Sequence, residues 1–239
     1  MNKLIVTSVT VALLGSAAIA QDVVRLGTEG AYAPYNFIND AGEVDGFERE
    51  LGDELCLRAE LNCTWVTNDW DSIIPNLVSG NYDAIMAGMS ITDERKEVID
   101  FSDPYTQPDP SAFLALGEVD LENAVIAAQS GTIQASYVTT MEGATLLEFA
   151  TPDETISAVR SGEADAVLAD KAFLEPIDSE GGDLSFVGDD ILIGGGIGLG
   201  VRQSDTELRD TFSAAIQSMK DDGTLNELIT KWLPGSATF

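Results

Sequence analysis

The sequence predicts an α/β protein of two lobes, each a doubly wound and mostly parallel sheet, joined by two chain crossings that form a hinge. Short apolar stretches alternate with amphipathic stretches, an order typical of parallel strands and their connecting helices. This alternation occurs twice along the chain. A proline-containing stretch at 105–110 and a glycine-rich stretch at 194–200 flank the second occurrence and predict the two crossings.

Three strands and three helices are predicted in the first unit. Phe47, Leu51 and Leu55 share one face of the first helix at helical spacing. Thr92, followed by two acidic residues, is a typical N-cap for the third helix. The predicted strands cover 23–27, 63–66 and 84–88, and the predicted helices cover 46–59, 71–79 and 92–98.

The second unit repeats this order, and two more helices follow it. Residues 164–169 are almost purely Ala, Val and Leu, which suits a strand buried on both faces. Ser204 and Glu207 match a capping box that opens the first of the two final helices. The predicted strands cover 112–116, 124–128, 145–149 and 164–169, and the predicted helices cover 132–140, 155–161, 204–221 and 225–232.

The two crossings divide the chain into a discontinuous lobe and an inserted lobe. Lobe one is expected to comprise 21–108 plus 199–239, and lobe two is expected to comprise 109–198. Because α/β folds place ligands at the carboxyl ends of parallel strands, the cleft between the lobes is the expected ligand site.

The first twenty residues indicate export. Lys3 precedes an apolar run from Leu4 to Leu14, and small residues stand at Ala18 and Ala20, where a signal peptidase cleaves. The apolar run is shorter than the roughly 20 residues that a membrane-spanning helix needs. We therefore expect a signal peptide over 1–20, cleaved after Ala20, and a periplasmic mature protein that does not insert into the membrane. The alternative is a buried N-terminal helix.

Cys56 and Cys63 are the only cysteines, and an exported protein offers them an oxidising compartment. A disulfide between them is expected. The alternative of a metal site is weak, because the chain has no histidine and no third cysteine.

The net charge of the chain argues against some classes of binding partner. The chain has 12 basic and 41 acidic residues and a net charge of −29, which repels nucleic acid and anionic membrane surfaces. We expect a monomer that binds no nucleic acid.

Seven segments, in order, carry a family likeness over the whole mature chain. They are TEGAYAPYNF (28–37), GFERELGDELC (46–56), NDWDSIIPNL (68–77), YDAIMAGMSITDERKEVIDFSDPY (82–105), QSGTIQASY (129–137), SGEADAVLAD (161–170) and DDGTLNELITKW (221–232). The chain resembles the periplasmic polar-amino-acid-binding proteins of ABC importers, known as family 3 solute-binding proteins. This group includes the lysine/arginine/ornithine, histidine, glutamine and opine binders.

The resemblance implies a fold, a ligand and a partner. The fold is the two-lobed periplasmic-binding-protein fold of type II. The ligand is a free amino acid, and the partner is the membrane permease of an ABC importer. The resemblance implies neither a cofactor nor catalysis.

Two charged residues match the family's contacts to the backbone of an amino acid. Arg95, in SITDER, matches the arginine that grips the carboxylate, a task for which a planar guanidinium is well suited. Asp170, at the end of an apolar strand, matches the aspartate that holds the ammonium group. Without the resemblance, Arg95 would be an ordinary surface arginine and Asp170 an ordinary helix N-cap.

The resemblance adds further expected ligand contacts. Tyr32 and Trp70 match two aromatic walls that face the ligand's side chain, although core packing is their alternative role. Ser90 and the Gly88 carbonyl would share the ammonium group with Asp170. The expected contacts from lobe two are Gln129, Thr132, Ile133 and Gln134.

Glu29 is the expected determinant of specificity, because a carboxylate deep in a pocket favours a cation at the far end of the ligand. The opine and arginine binders share this acid. Ala87 and Gly88, in contrast, resemble the glutamine binder. We therefore expect a basic amino acid or an opine-like conjugate, with glutamine or another polar amino acid as the alternative.

A secreted dehydratase of related fold is the enzymatic alternative, with Glu29 as a proton donor. The Arg95 and Asp170 pair argues against it, because this pair suits a zwitterion rather than a dicarboxylate. An extracellular sensor domain is a third class, which is normally fused to membrane helices.

Overall fold

A computed structural model of the chain describes residues 23–179 and 182–239. The predicted signal peptide and its cleavage site lie outside the described residues. Within them, no helix combines the length and the apolar character that crossing a membrane requires.

The described residues form thirteen strands, most of them three to seven residues long. They are β1 Val23–Thr28, β2 Ala31–Tyr32, β3 Asn36–Ile38, β4 Val44–Asp45, β5 Asn62–Thr67, β6 Ala84–Ile85, β7 Ile99–Phe101, β8 Ser111–Ala115, β9 Val125–Gln129, β10 Thr145–Phe149, β11 Ala166–Asp170, β12 Ser185–Ile191 and β13 Gly200–Arg202.

Eight α-helices connect these strands within the same residues. They are α1 Phe47–Arg58, α2 Ile73–Val78, α3 Asp93–Lys96, α4 Ile133–Val138, α5 Pro152–Ser161, α6 Lys171–Ser179, α7 Thr206–Asp222 and α8 Thr224–Trp232.

Two five-stranded sheets form the framework, and each has four strands in one direction and one reversed strand. The first sheet has the order β5-β1-β6-β13-β7, in which β13 is antiparallel to both of its neighbours. The second sheet has the order β10-β9-β11-β8-β12, in which β8 is the reversed strand. The predicted α/β fold with two mostly parallel sheets is confirmed.

Each reversed strand is the first strand after a crossing. The stretch before Ser111 leads from the first sheet into β8, and the glycine-rich stretch leads from the second sheet back into β13. The lobe boundaries near 108 and 198 stay a prediction, consistent with this distribution of strands.

The crossings pack tightly against each other. The Tyr105 amide donates to the carbonyl of Ile197 at 2.8 Å, and the Ile197 amide donates to the Thr106 hydroxyl at 3.0 Å. A Cβ atom added to Gly196 would lie 2.3 Å from the carbonyl oxygen of Thr106. Glycine is required here for close approach of two backbones.

Some predicted elements need correction. The capping box of Ser204 and Glu207 is wrong, because the N-cap of α7 is Asp205 and makes no side-chain cap. The Ser204 hydroxyl instead donates to the Asp205 carboxylate at 2.7 Å. A capping box is present at α5, between Thr151 and Glu154, and starts that helix three residues earlier than predicted.

Six strands lacked a sequence prediction. A small sheet of β2, β3 and β4 is built from strands of two or three residues, which are too short to show alternation. β7 and β13 are equally short. β12 is longer, but its run of Gly188, Asp189 and Asp190 interrupts the apolar pattern.

The predicted disulfide between Cys56 and Cys63 is present. It joins the last turn of α1 to the start of β5, which is an edge strand of the first sheet. The side chains of α1, α7 and α8 bury a common core against this sheet, including Leu51, Phe212 and Ile229.

Candidate functional site

A cavity that is partly open to solvent lies between the two sheets, and together with its mouth it comprises about 330 Å³. All twelve residues predicted for the ligand site line it. Seven come from the first part of the chain and five from the inserted part. They are Glu29, Tyr32, Trp70, Ala87, Gly88, Ser90, Arg95, Gln129, Thr132, Ile133, Gln134 and Asp170.

Arg95 lies on α3, a helix whose first turn is fixed by its N-cap. The Thr92 hydroxyl accepts a hydrogen bond from the Arg95 amide at 3.2 Å. The guanidinium donates to the Ser90 carbonyl at 2.8 Å and, across the cleft, to the Gly131 carbonyl at 3.3 Å. A guanidinium carries five N–H groups, so three remain to bind an anion.

Trp70 positions the same guanidinium. The central carbon of the Arg95 guanidinium lies 5.3 Å from the centroid of the Trp70 ring, within the range of a cation–π contact. Burial lowers the pKa of Arg95 to about 10, and the negative charge of Asp170 opposes this shift. Arg95 is therefore still protonated at neutral pH.

Asp170 ends β11, where the sheet faces the cavity. Its carboxylate accepts from the Tyr32 hydroxyl at 2.8 Å and from the Gln134 side-chain amide at 3.0 Å. Burial raises the pKa of Asp170 to about 6, while the Tyr32 hydrogen bond and the charge of Arg95 oppose the rise. An added cation beside this carboxylate would stabilise its ionised form.

Glu29 follows β1 and faces Gln129 from the opposite sheet. The Gln129 side-chain amide donates to Glu29 at 2.6 Å and to the Ala150 carbonyl at 3.0 Å. Burial raises the pKa of Glu29 to about 7, and the charges of three aspartates add to the rise. These aspartates are Asp69, Asp71 and Asp153. This corner of the cavity therefore attracts positive charge.

Tyr32 lines the cavity, but Phe173 covers one face of its ring. The two rings stack with centroids 4.4 Å apart and planes 8° apart. Sequence reasoning missed Phe173. Its position gave a usable indication, because Phe173 follows Asp170 by three residues, about one turn along α6.

A second missed residue, Glu48, lies beneath the cavity. It is completely buried and accepts a hydrogen bond from the Gly88 amide at 2.7 Å. Its spacing from Leu51 and Leu55 places it on the same face of α1 as the core leucines, and a carboxylate on such a face indicates a special role.

Two lobes flank a cavity whose lining includes an arginine, an aspartate and two aromatic side chains. Fold and site together therefore define a two-lobed binding protein whose cavity offers a small molecule partners of both charge signs. Residues 24–235 match the profile of the bacterial extracellular solute-binding proteins, family 3. The chain belongs to this family.

Several relatives are known by function or structure. The lysine/arginine/ornithine-binding periplasmic protein of Escherichia coli is 32% identical over 91% of this chain and 90% of its own. A periplasmic His/Glu/Gln/Arg/opine family-binding protein from Silicibacter pomeroyi, solved in complex with lysine, is 65% identical. It covers 90% of this chain and 100% of its own, with a TM-score of 0.88.

A reconstructed relative carries a different ligand. An ancestral arginine-binding protein bound to glutamine is 30% identical and covers 88% of this chain and 97% of its own, with a TM-score of 0.81.

Proposed function

We propose that this protein captures a basic amino acid, namely lysine, arginine, ornithine or an opine-like conjugate, for delivery to the membrane permease of an ABC importer. The observation that carries the proposal is the placement of Arg95, Asp170 and Glu29 around one cavity. A basic amino acid has three charged groups, and these three side chains offer each of them a partner of opposite sign.

Two of the three pairs would recognise the backbone of the ligand. The free N–H groups of Arg95 suit the α-carboxylate, and the amides at the start of α4 add donors near Thr132. Asp170 suits the α-ammonium group. Because burial raises its pKa, Asp170 gains more from a cationic partner than an exposed carboxylate would.

The third pair would set specificity. Glu29 offers a carboxylate to a terminal ammonium or guanidinium, and the nearby aspartates strengthen the negative potential. The Silicibacter pomeroyi protein, 65% identical and solved with lysine, supports a basic ligand.

Glutamine is the second candidate. The Gln129 amide already donates to Glu29 at 2.6 Å, so Glu29 also accepts from a neutral amide. The ancestral relative bound to glutamine supports this alternative. A ligand cation stabilises the ionised form of Glu29, whereas a ligand amide offers no positive charge to oppose the raised pKa of this buried carboxylate, which is why the basic ligand is preferred.

The other parts of the proposal concern partners and compartment. We propose a monomeric, non-enzymatic protein that is exported and cleaved after Ala20. The net charge of −29 argues against nucleic acid as a partner. The zwitterion-matched pair of Arg95 and Asp170 argues against a dehydratase of related fold.

Calorimetric titration of the purified protein tests the proposal. Lysine, arginine, ornithine, octopine and glutamine are compared, with norleucine as the matched control, because norleucine is similar in size to lysine but lacks its terminal amine. We expect a basic ligand to bind most tightly and norleucine to bind weakly. Equal affinity for lysine and norleucine would exclude the proposed role of Glu29. Tightest binding of glutamine would establish the alternative.

A further inference from the structure

Glu48 is a fully buried carboxylate, and among the described residues its hydrogen-bond partners include no cation. Its three donors are the Asn36 side-chain amide at 2.7 Å, the Gly88 backbone amide at 2.7 Å and the Tyr105 hydroxyl. Burial raises the pKa of Glu48, and these three hydrogen bonds oppose the rise. Burying a carboxylate without a counter-ion is costly, so a core helix would ordinarily carry an apolar residue here.

Each of the three donors belongs to, or is hydrogen-bonded to, a different part of the cavity or the hinge. Asn36 uses its side-chain oxygen to accept from the Gly30 amide at 2.8 Å, immediately beside Glu29. Gly88 lines the cavity itself. Tyr105 belongs to the first crossing, and its amide donates to Ile197 in the second crossing.

The start of α1 fixes Glu48 in place. The amides of Phe47 and Glu48 donate to the carbonyls of Pro34 and Tyr35 at 2.9 and 2.8 Å. The helix is therefore anchored to the same segment that carries Tyr32. These backbone contacts define the position of the Glu48 carboxylate relative to the cavity.

We propose that Glu48 is a positioning residue that holds two cavity segments, at Gly30 and Gly88, in register with the hinge crossings. The inference rests on the proposed function, because it assigns Glu48 a role in ligand binding by that cavity. The segments supply Glu29 and the Gly88 backbone, so Glu48 acts on the ligand without touching it.

Both oxygens of Glu48 accept hydrogen bonds from different donors, and the side-chain amide of glutamine cannot reproduce this pattern. One oxygen accepts from Gly88 and Tyr105, and the other accepts from Asn36. In Glu48→Gln, one position becomes an NH₂ group that faces a donor. If that donor is Asn36, rotating its amide to compensate would remove the acceptor of the Gly30 amide. If that donor is Gly88, its buried amide loses its partner.

Two measurements on the full chain test this inference. Calorimetry gives the affinities for lysine and glutamine. The rate of hydrogen exchange at the Gly30 and Gly88 amides, measured without any ligand, shows how firmly the two segments are held. For Glu48→Gln we expect at least tenfold weaker binding of both lysine and glutamine, together with at least tenfold faster exchange at one of the two glycines.

Two control variants separate positioning from general loss of stability. Glu54→Gln removes a charge from the same helix, where Glu54 pairs with Arg58 near the surface. Ile229→Val loosens the buried core around α8. We expect both controls to keep the wild-type affinity and the wild-type exchange at Gly30 and Gly88.

Should Glu48→Gln fail to fold, Asn36→Asp serves instead, since it sets a carboxylate against Glu48 and should produce the same weaker binding and faster exchange. Unchanged affinity with unchanged exchange in the folded variant would overturn the inference. If the wild-type protein binds no amino acid, the proposed function fails, whereas the exchange comparison still decides whether Glu48 positions the two segments.

Discussion

The hydroxyl of Tyr32 and the carboxylate of Asp170 lie 2.8 Å apart, although the two residues are 138 positions apart and belong to opposite sides of the cavity. The same hydroxyl accepts from the Asp170 amide at 3.2 Å. Tyr32 therefore fixes both the side chain and the backbone of the residue assigned to the ligand's ammonium group. The orientation of Asp170 depends on contact between the two lobes.

Removing the charge of either Arg95 or Asp170, which we propose to bind the ligand's carboxylate and ammonium groups, should weaken the binding of every amino acid. Arg95→Ala leaves a ligand carboxylate without its partner, and losses of about 3–5 kcal/mol are typical when one member of a buried pair is removed. Asp170→Asn should also weaken all ligands. Calorimetry with lysine and glutamine measures both effects. Arg160→Ala is the matched control, because Arg160 forms an exposed pair with Asp183 and does not line the cavity. Weaker binding of lysine alone, or of glutamine alone, would contradict the assignment of Arg95 and Asp170 to groups that all amino acids share.

Glu29→Gln should change selectivity. It preserves the size of the side chain and removes one charge, so lysine and arginine should lose about 1.5–3 kcal/mol, the value of a hydrogen bond to a charged group. Glutamine should lose much less. Competitive titration of the variant with lysine and glutamine gives the ratio of affinities. Intact lysine binding in Glu29→Gln would show that the terminal amine lies elsewhere.

Stability and affinity should depend on pH with opposite signs. Burial raises the pKa of Glu29 to about 7 and that of Asp170 to about 6, so the folded protein without ligand binds more protons than the unfolded chain between pH 4 and 7. Its free energy of unfolding should therefore fall as the pH rises through this window. Affinity for lysine should rise over the same window, because the ligand's cations need ionised carboxylates.

The Glu29→Gln variant isolates the contribution of Glu29 to this behaviour. Without that carboxylate, the affinity change near pH 7 should disappear and the change near pH 6 should remain. Thermal unfolding and calorimetry at pH 4, 5, 6 and 7 provide the data. A pH profile identical to that of the wild type would assign the upper titration to another group.

Reducing the Cys56–Cys63 disulfide should lower stability moderately. The bridge closes a loop with a sequence separation of 7, and the chain-entropy relation gives about 2–3 kcal/mol for so short a loop. The double variant Cys56→Ser, Cys63→Ser should unfold at a lower denaturant concentration and keep its lysine affinity, because neither cysteine lines the cavity. Equal midpoints for the oxidised and reduced protein would contradict the expectation.

A methyl group at Gly196 should separate the crossings. The added Cβ in Gly196→Ala would lie 2.3 Å from a backbone oxygen, so the backbone has to shift, at a cost of about 1–3 kcal/mol. We also expect weaker lysine binding, since the crossings set the relative position of the lobes. Gly117→Ala is the control, because no atom lies within 4 Å of its added Cβ. Equal unfolding midpoints for the two variants would show that the crossings accommodate the methyl group.

The sequence allowed accurate prediction of elements whose side chains repeat with a clear period. Strand 145–149 is predicted with its observed bounds, and α1 differs from its prediction by one residue at each end. Short strands such as β13 have no period of their own. Their positions are determined by pairing with β6 and β7, which are distant in sequence.

The cavity-lining residues were found through family motifs, whereas the residues behind them were missed. Arg95 and Asp170 lie in family motifs, and the resemblance therefore implied their roles as well as their positions. Phe173 and Glu48 act by contacts with Tyr32 and Gly88, over 141 and 40 positions respectively. Such contacts exist only after the chain has folded, so the local pattern marks Phe173 and Glu48 as unusual positions but does not identify the residues that they contact.

The strand order of the first sheet determines when that lobe becomes complete as the exported chain emerges from the membrane. Its reversed strand β13 lies between β6 and β7 and begins only at Gly200. Once the first 199 residues have emerged, every strand of the second sheet is present, whereas β7 is still without its partner. The inserted lobe can assemble while the rest of the chain is still emerging, whereas the flanking lobe has to wait for the C-terminal segment. Unpaired edges at β6 and β7 make this interval the period of greatest exposure to aggregation, and to any chaperone that binds extended chains.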